Sequence, residues 1–121
     1  MNRKNILLVD DDTELCDELA EILRFEGYNV ENTSDSSKGA TYLEKNRYDI
    51  VILDFKMPNM TGFDLLKKIK TFSLKPVVLL ISGRPFIEKM LEDEDLTGLV
   101  NSVITKPFDD KKLLDSLRSS L

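Results

Sequence analysis

The stretch Tyr48-Asp49-Ile50-Val51-Ile52-Leu53-Asp54 decides the fold. It reads as a short apolar strand that delivers one carboxylate, Asp54, to the turn Phe55-Lys56-Met57-Pro58-Asn59-Met60-Thr61-Gly62. Three other apolar runs end the same way. Ile6-Leu7-Leu8-Val9 runs into Asp10-Asp11-Asp12, Val77-Val78-Leu79-Leu80-Ile81 into Ser82-Gly83, and Val103-Ile104-Thr105 into Lys106-Pro107. In an open parallel sheet the C-terminal ends of the strands form one edge, and ligands bind there. The pattern therefore predicts a single site and not four unrelated polar residues.

Working outward, the strands fall at roughly 5–10, 28–32, 48–54, 76–82 and 101–105, with bounds good to about 2–4 residues. Helical patterns alternate with them, and no Asn-Gly type hairpin signal separates one strand from the next. The expected fold class is α/β: a doubly wound five-stranded parallel sheet of order 2-1-3-4-5, helices on both faces, flavodoxin-like. The first and third strands, the most apolar, should lie side by side, bringing Asp10 and Asp11 next to Asp54. The first helix starts near Thr13 under an Asp12 cap, buries Leu15, Leu19, Ile22 and Leu23, and stops at Gly27. A second helix over about 35–46 buries Ala40 and Leu43, and a third over about 62–71 buries Phe63, Leu66 and Ile69. Pro85 suits the first turn of a fourth helix that carries Phe86, Met90 and Leu91. The last helix follows Asp109 and buries Leu113, Leu114, Leu117 and Leu121.

Composition sets the bounds. A chain of 121 residues, 41% apolar and 32% charged, is expected to be one globular domain with a real core. No apolar run approaches the ~20 residues needed to span a bilayer, and the four apolar residues after Met1-Asn2-Arg3-Lys4-Asn5 are too few for a signal peptide. The single cysteine, Cys16, excludes an internal disulfide framework and fits a reducing cytoplasm. A net charge of −5 argues against nucleic acid as a direct partner. The absence of histidine excludes His-based acid–base chemistry, most zinc sites and a phosphohistidine on this chain.

Three carboxylates gathered in one pocket repel one another and call for a cation. Mg²⁺ fits, because it takes oxygen ligands, keeps several waters, and is typically held by one or two carboxylates plus phosphate oxygens. Lys106 adds a point charge for Asp54 or a phosphoryl oxygen, and Ser82 a hydroxyl for another. Gly83, without a side chain, leaves room for a group on Asp54. Such residues supply the positioning and neutralisation that phosphoryl transfer needs. Asp12 reads as a helix cap, Cys16 as a helix packing residue, Phe86 and Phe108 as packing residues, Val103 as a strand residue, and Glu92-Asp93-Glu94-Asp95 as a solvated helix end.

Taken in order, Asp10-Asp11, Leu53-Asp54-x-x-Met57-Pro58-x-Met60-x-Gly62, Ser82-Gly83 and Lys106-Pro107-Phe108 closely resemble the receiver domain of two-component response regulators, over nearly the whole chain. The resemblance implies that Asp54 accepts a phosphoryl group from a sensor histidine kinase or histidine phosphotransfer protein. It implies that Asp11 binds Mg²⁺ directly, Asp10 mostly through water, and that the Lys56 backbone carbonyl completes the protein ligands. Ser82 and Lys106 would contact the phosphoryl group. The expected activity is that of a phosphorylation switch acting on an output partner, not of an enzyme, and the resemblance allows a phosphorylation-dependent homodimer. It also implies a cis bond between Lys106 and Pro107, which would aim the lysine into the acidic pocket. Since the sequence stops after the fifth helix, the expectation is a receiver over 1–121 without an output domain, free-standing or the front of a longer protein.

Three departures from the family pattern stand out. Val103 occupies a position usually held by Tyr or Phe, Thr97-Gly98-Leu99-Val100-Asn101-Ser102 replaces a short small-residue turn, and the residues two after Asp54 and two after Ser82, Lys56 and Arg84, are both cationic. Competing classes fare worse. A phosphohydrolase of the haloacid dehalogenase type needs Asp-x-Asp-x-Thr/Val, but Glu14 stands at the Thr/Val position. No Gly-x-x-x-x-Gly-Lys or Gly-x-Gly-x-x-Gly exists for nucleotide binding. A receiver that no longer switches and serves as a docking module is the remaining alternative.

Overall fold

The computed structural model describes residues 3–121. Five parallel strands form one sheet: β1 (Asn5–Val9), β2 (Asn29–Thr33), β3 (Ile50–Asp54), β4 (Val77–Ser82) and β5 (Ser102–Thr105), in the order β2-β1-β3-β4-β5. The helices between them are α1 (Thr13–Phe25), α2 (Ser36–Lys45), α3 (Gly62–Lys70), α4 (Ile87–Asp93) and α5 (Asp110–Ser120), with a 3₁₀ turn at Thr97–Leu99. This is the doubly wound architecture expected from the alternation of strand and helix patterns.

The period-two geometry of strands divides the core into two layers. Leu7, Val9, Val51, Leu53, Val78 and Leu80 face one side, where Leu43 of α2, Leu66 and Ile69 of α3, and Ile87 and Leu91 of α4 cover them. Ile6, Leu8, Ile50, Ile52, Leu79 and Ile81 face the other, under Leu19 and Leu23 of α1 and Leu113 and Leu117 of α5. The central strands are apolar on both faces because both faces are covered. In α1 the buried stripe is Cys16, Leu19, Ala20 and Leu23, with Leu15 and Ile22 at its partly buried margin. Asp12 caps this helix by accepting from the Leu15 N–H at 3.1 Å.

The fourth helix differs from the sequence expectation. It begins at Ile87, so Pro85 and Phe86 lie outside it. Phe86 adopts a left-handed conformation (φ 62, ψ 25), which cannot continue back into a helical turn, and its ring is 79% exposed instead of packed. Phe108, by contrast, is half-buried against the α1/α5 layer. Leu121 is exposed. The acidic run at the end of α4 is solvated, as its composition suggests, but it is also tied to α3: Lys67 pairs with Glu94 at 3.4 Å and Lys70 with Asp95 at 3.1 Å.

Candidate functional site

Register brings the polar strand ends together. Val9 pairs with Leu53, so Asp10 and Asp54 each lie one residue further along neighbouring strands. Ser82 pairs with Thr105, so Lys106 follows immediately beside it, and the Lys106 N–H donates to the Ser82 carbonyl at 3.0 Å. The Lys106–Pro107 bond is cis, as the sequence resemblance implies.

Asp10, Asp11 and Asp54 each offer a carboxylate oxygen within 4.8 Å of the others. Asp10 is fully buried and Asp54 is 2% exposed, whereas Asp11 is exposed at the rim. One Asp10 oxygen accepts from the Asp12 N–H at 3.0 Å. The other, Oδ2, is buried without a hydrogen-bond partner among the described residues. A buried carboxylate oxygen left unpartnered is costly, and a hard cation shared with the other two carboxylates would satisfy it. The donor set therefore fits Mg²⁺.

Electrostatics agree with that picture. Burial pushes the Asp10 carboxyl above its ordinary range. Asp54 is pushed up to about 7, first by burial and then by the Asp10 charge, against the opposing pull of Lys106. Lys106 Nζ lies 3.2 Å from Asp54 Oδ2, the only ion pair made by the three clustered carboxylates among the described residues. Without a metal, the pocket thus holds more negative charge than one lysine can balance.

Beside the carboxylates a cavity of about 320 Å³ is lined by Asp54, Phe55, Lys56, Ser82, Gly83, Arg84, Pro85 and Lys106. Ser82, itself buried, accepts from the Arg84 N–H at 3.0 Å through its hydroxyl. A Cβ on Gly83 would meet only the Lys106 Cβ at 3.6 Å, an ordinary contact, so the fold does not demand glycine there. Gly62 is the glycine that packing requires. A Cβ on it would lie 2.9 Å from the Asp54 carbonyl oxygen and 3.0 Å from the Phe55 Cα, so only glycine lets α3 start against the acceptor strand. Thr61 and Asp64 fix that start with a reciprocal capping box.

Sequence reasoning located every one of these strand-end residues but missed two features. The Arg84 guanidinium lies over the Phe55 ring, 5.5 Å from its centroid. That contact joins two loops, and nothing in local spacing announces it. The larger cavity, about 560 Å³ between Asn46–Asp49 and Phe72–Pro76, lies at the opposite, N-terminal end of β3 and β4, away from the carboxylates.

Known proteins share this fold. The chain is 32% identical over 119 residues, 98% of its length, to the DNA-binding response regulator MtrA of Mycolicibacterium smegmatis, of which it covers 51%. It spans about half the length of the curated relatives it matches. The solved chemotaxis response regulator CheY4 of Vibrio cholerae superposes with a TM-score of 0.87 at 28% identity, covering 99% of this chain and 100% of that one. A CheY-like receiver domain protein from Methanospirillum hungatei JF-1 does so with a TM-score of 0.87 at 29% identity, covering 98% and 93%. A family model described as the response regulator receiver domain matches residues 6–118, and with the fold, the register and the clustered carboxylates already in place, the chain belongs to that family.

Proposed function

We propose that this domain is a phospho-acceptor switch in which Asp54 takes a phosphoryl group from a phosphohistidine donor. The observation that carries this reading is the setting of Asp54: a buried carboxylate at the mouth of a cavity, paired with Lys106 at 3.2 Å on one side and crowded by Asp10 and Asp11 on the other. In the transfer, an Asp54 carboxylate oxygen forms a bond to phosphorus as the phosphorus–nitrogen bond to the donor imidazole breaks. The electron pair stays on the imidazole nitrogen, and an acyl phosphate is left on Asp54. Asp10, Asp11, Asp54 and the Lys56 backbone carbonyl would hold Mg²⁺, which neutralises charge on the transferring group. Lys106 supplies a fixed positive charge to the phosphoryl oxygens, and the Ser82 hydroxyl a hydrogen bond.

The donor is a sensor histidine kinase or a histidine phosphotransfer protein, and the product state acts through an output protein or domain. The reading places the domain in the cytoplasm, where such donors present their phosphohistidines. No helix among the described residues is long and apolar enough to cross a membrane. The net charge of −5 argues against direct nucleic-acid contact by this domain. The whole span 1–121 is read as one receiver.

Incubation with acetyl phosphate and Mg²⁺, followed by intact mass measurement, tests the reading. The parent gains one phosphoryl group and Asp54→Asn gains none. A folded parent that stays unmodified would instead support a docking module, and catalytic turnover of added phosphate esters would support a hydrolase.

A further inference from the structure

Arg84 lines the same cavity as Asp54 and Lys106, yet it makes no ion pair among the described residues. Its guanidinium lies instead over the Phe55 ring. That ring is a firm platform. Phe55 is 6% exposed, it packs edge-on against Phe63 with centroids 4.8 Å apart, and its N–H donates to the Ile81 carbonyl at 2.8 Å. We propose, resting on the phospho-acceptor reading above, that Arg84 is a further phosphoryl-binding residue, parked on Phe55 until Asp54 is modified, and that its transfer to the phosphoryl group moves the Gly83–Phe86 loop.

The driving force is a change of charge. Phosphorylation replaces one carboxylate charge by a nearly dianionic group with three strong acceptor oxygens, next to a guanidinium built for paired hydrogen bonds to such oxygens. Those bonds outweigh an exposed cation–π contact. The stacked position also has a use before modification, because it keeps a competing cation off the Asp10–Asp11–Asp54 cluster and leaves that cluster free for metal.

The backbone gives the movement a route. The Arg84 N–H is bonded to the Ser82 hydroxyl, which faces the same cavity, so both groups sense the phosphoryl oxygens. Around Arg84 little holds the chain: Gly83, Arg84, Pro85 and Phe86 are all exposed, Phe86 is in a left-handed conformation unfavourable for its side chain, and no side chain caps α4. A pull on Arg84 is therefore relieved at Phe86 and the start of α4, while Phe55 stays anchored in the core.

Beryllium trifluoride with Mg²⁺ serves as a stable phosphoryl mimic, with loading read from the ¹⁹F resonance of the bound group. The Arg84 Nε–H is followed by ¹H–¹⁵N NMR, where the Phe55 ring current shifts it upfield. The expected result is an upfield Arg84 signal in Mg²⁺ alone that moves downfield on loading, together with shifts at Phe86. Arg84→Gln should load the mimic about ten-fold more weakly, the loss of one charge-assisted contact, while binding Mg²⁺ alone no more weakly than the parent. Arg84→Lys should recover part of that affinity without the ring-shifted signal. Loading with an unmoved Arg84 signal, or parent-like loading of Arg84→Gln, overturns this inference alone. A folded parent that never loads overturns the phospho-acceptor reading and this inference with it.

Discussion

Lys106 Nζ stands 3.2 Å from Asp54 Oδ2, joining residues 52 positions apart in sequence. The lysine side chain is 33% exposed and the aspartate's 3%, so the pair is solvated on one side only. Its main effect is on the proton affinity of Asp54, with a smaller effect on the stability of the fold.

Replacing Lys106 with Met removes the one opposing pull on a carboxyl already raised to about 7. Asp54 in Lys106→Met should therefore titrate above the parent, as read from its side-chain carboxyl ¹³C shift against pH in metal-free protein. The variant should also lose about 1–2 kcal/mol of metal-free stability at pH 8, less than for a fully buried pair. A titration at or below the parent's would rule out Lys106 as the balancing charge.

Asp54 also predicts a pH dependence of folding. Its pKa rises from 3.8 in the unfolded chain to about 7 in the fold, so the folded state binds this proton more tightly. Below pH 3.8 the group is protonated in both states and contributes nothing. As pH rises from there to about 7, the unfolded chain ionises while the folded state keeps its proton, so stability falls, and above that the penalty is complete. Asp54→Asn should remove it, gaining on the order of 2 kcal/mol over the parent at pH 8 and little at pH 4 in metal-free urea titrations. A parent and variant separated by the same amount at both pH values would contradict this.

Asp11 lies at the exposed rim of the cluster, so its replacement should spare the fold. Asp11→Asn should weaken Mg²⁺ binding at least ten-fold in calorimetry and block modification by acetyl phosphate, while raising metal-free stability slightly by relieving like-charge repulsion. Undiminished phosphorylation of this variant would count against the metal site.

Lys56 and Arg84, both cationic side chains, line the cavity beside Asp54. They are expected to pair with phosphoryl oxygens and crowd the path of an attacking water. The double variant Lys56→Asn, Arg84→Glu should therefore lose its phosphoryl group faster than the parent, by about ten-fold or more in Mg²⁺, as followed by intact mass. Equal or slower decay in the double variant would refute the occluding role.

Val103 is β-branched, partly buried against the α3/α4 layer, and too short to swing between two positions. Amide shifts on phosphorylation should thus centre on Ser82–Phe86 and the start of α4. Large shifts at Val103 over a static Ser82 loop would show that the response runs elsewhere.

Much of this molecule was legible in its sequence because the deciding signals are local. Apolar runs ending in polar residues mark parallel strands and their binding edge, and the alternation with helices restricts the topology to a doubly wound sheet. Asp12 stands where a helix cap is needed, Asp109 directly precedes the last helix, and each caps its helix. Asp10, Asp11, Asp54, Ser82 and Lys106 could be grouped because strand ends in such a sheet share an edge. The miss at α4 is equally instructive. Proline favours a first helical turn, but it does not dictate the torsions of the next residue, and the left-handed Phe86 delays the helix to Ile87.

The sequence by itself determined the strands and helices, their apolar faces and the set of polar residues at the strand ends, since each follows from a period or a terminus within a few residues. Only the tertiary structure decided how those residues bear on one another. Burial raises Asp54 to about 7, packing leaves one Asp10 oxygen without a partner, Gly62 is needed because α3 meets the Asp54 backbone, and Arg84 rests on Phe55 and not on a carboxylate. Desolvation, close contact and the choice among competing partners depend on distances between segments far apart in the chain, and such distances exist only once the chain has folded.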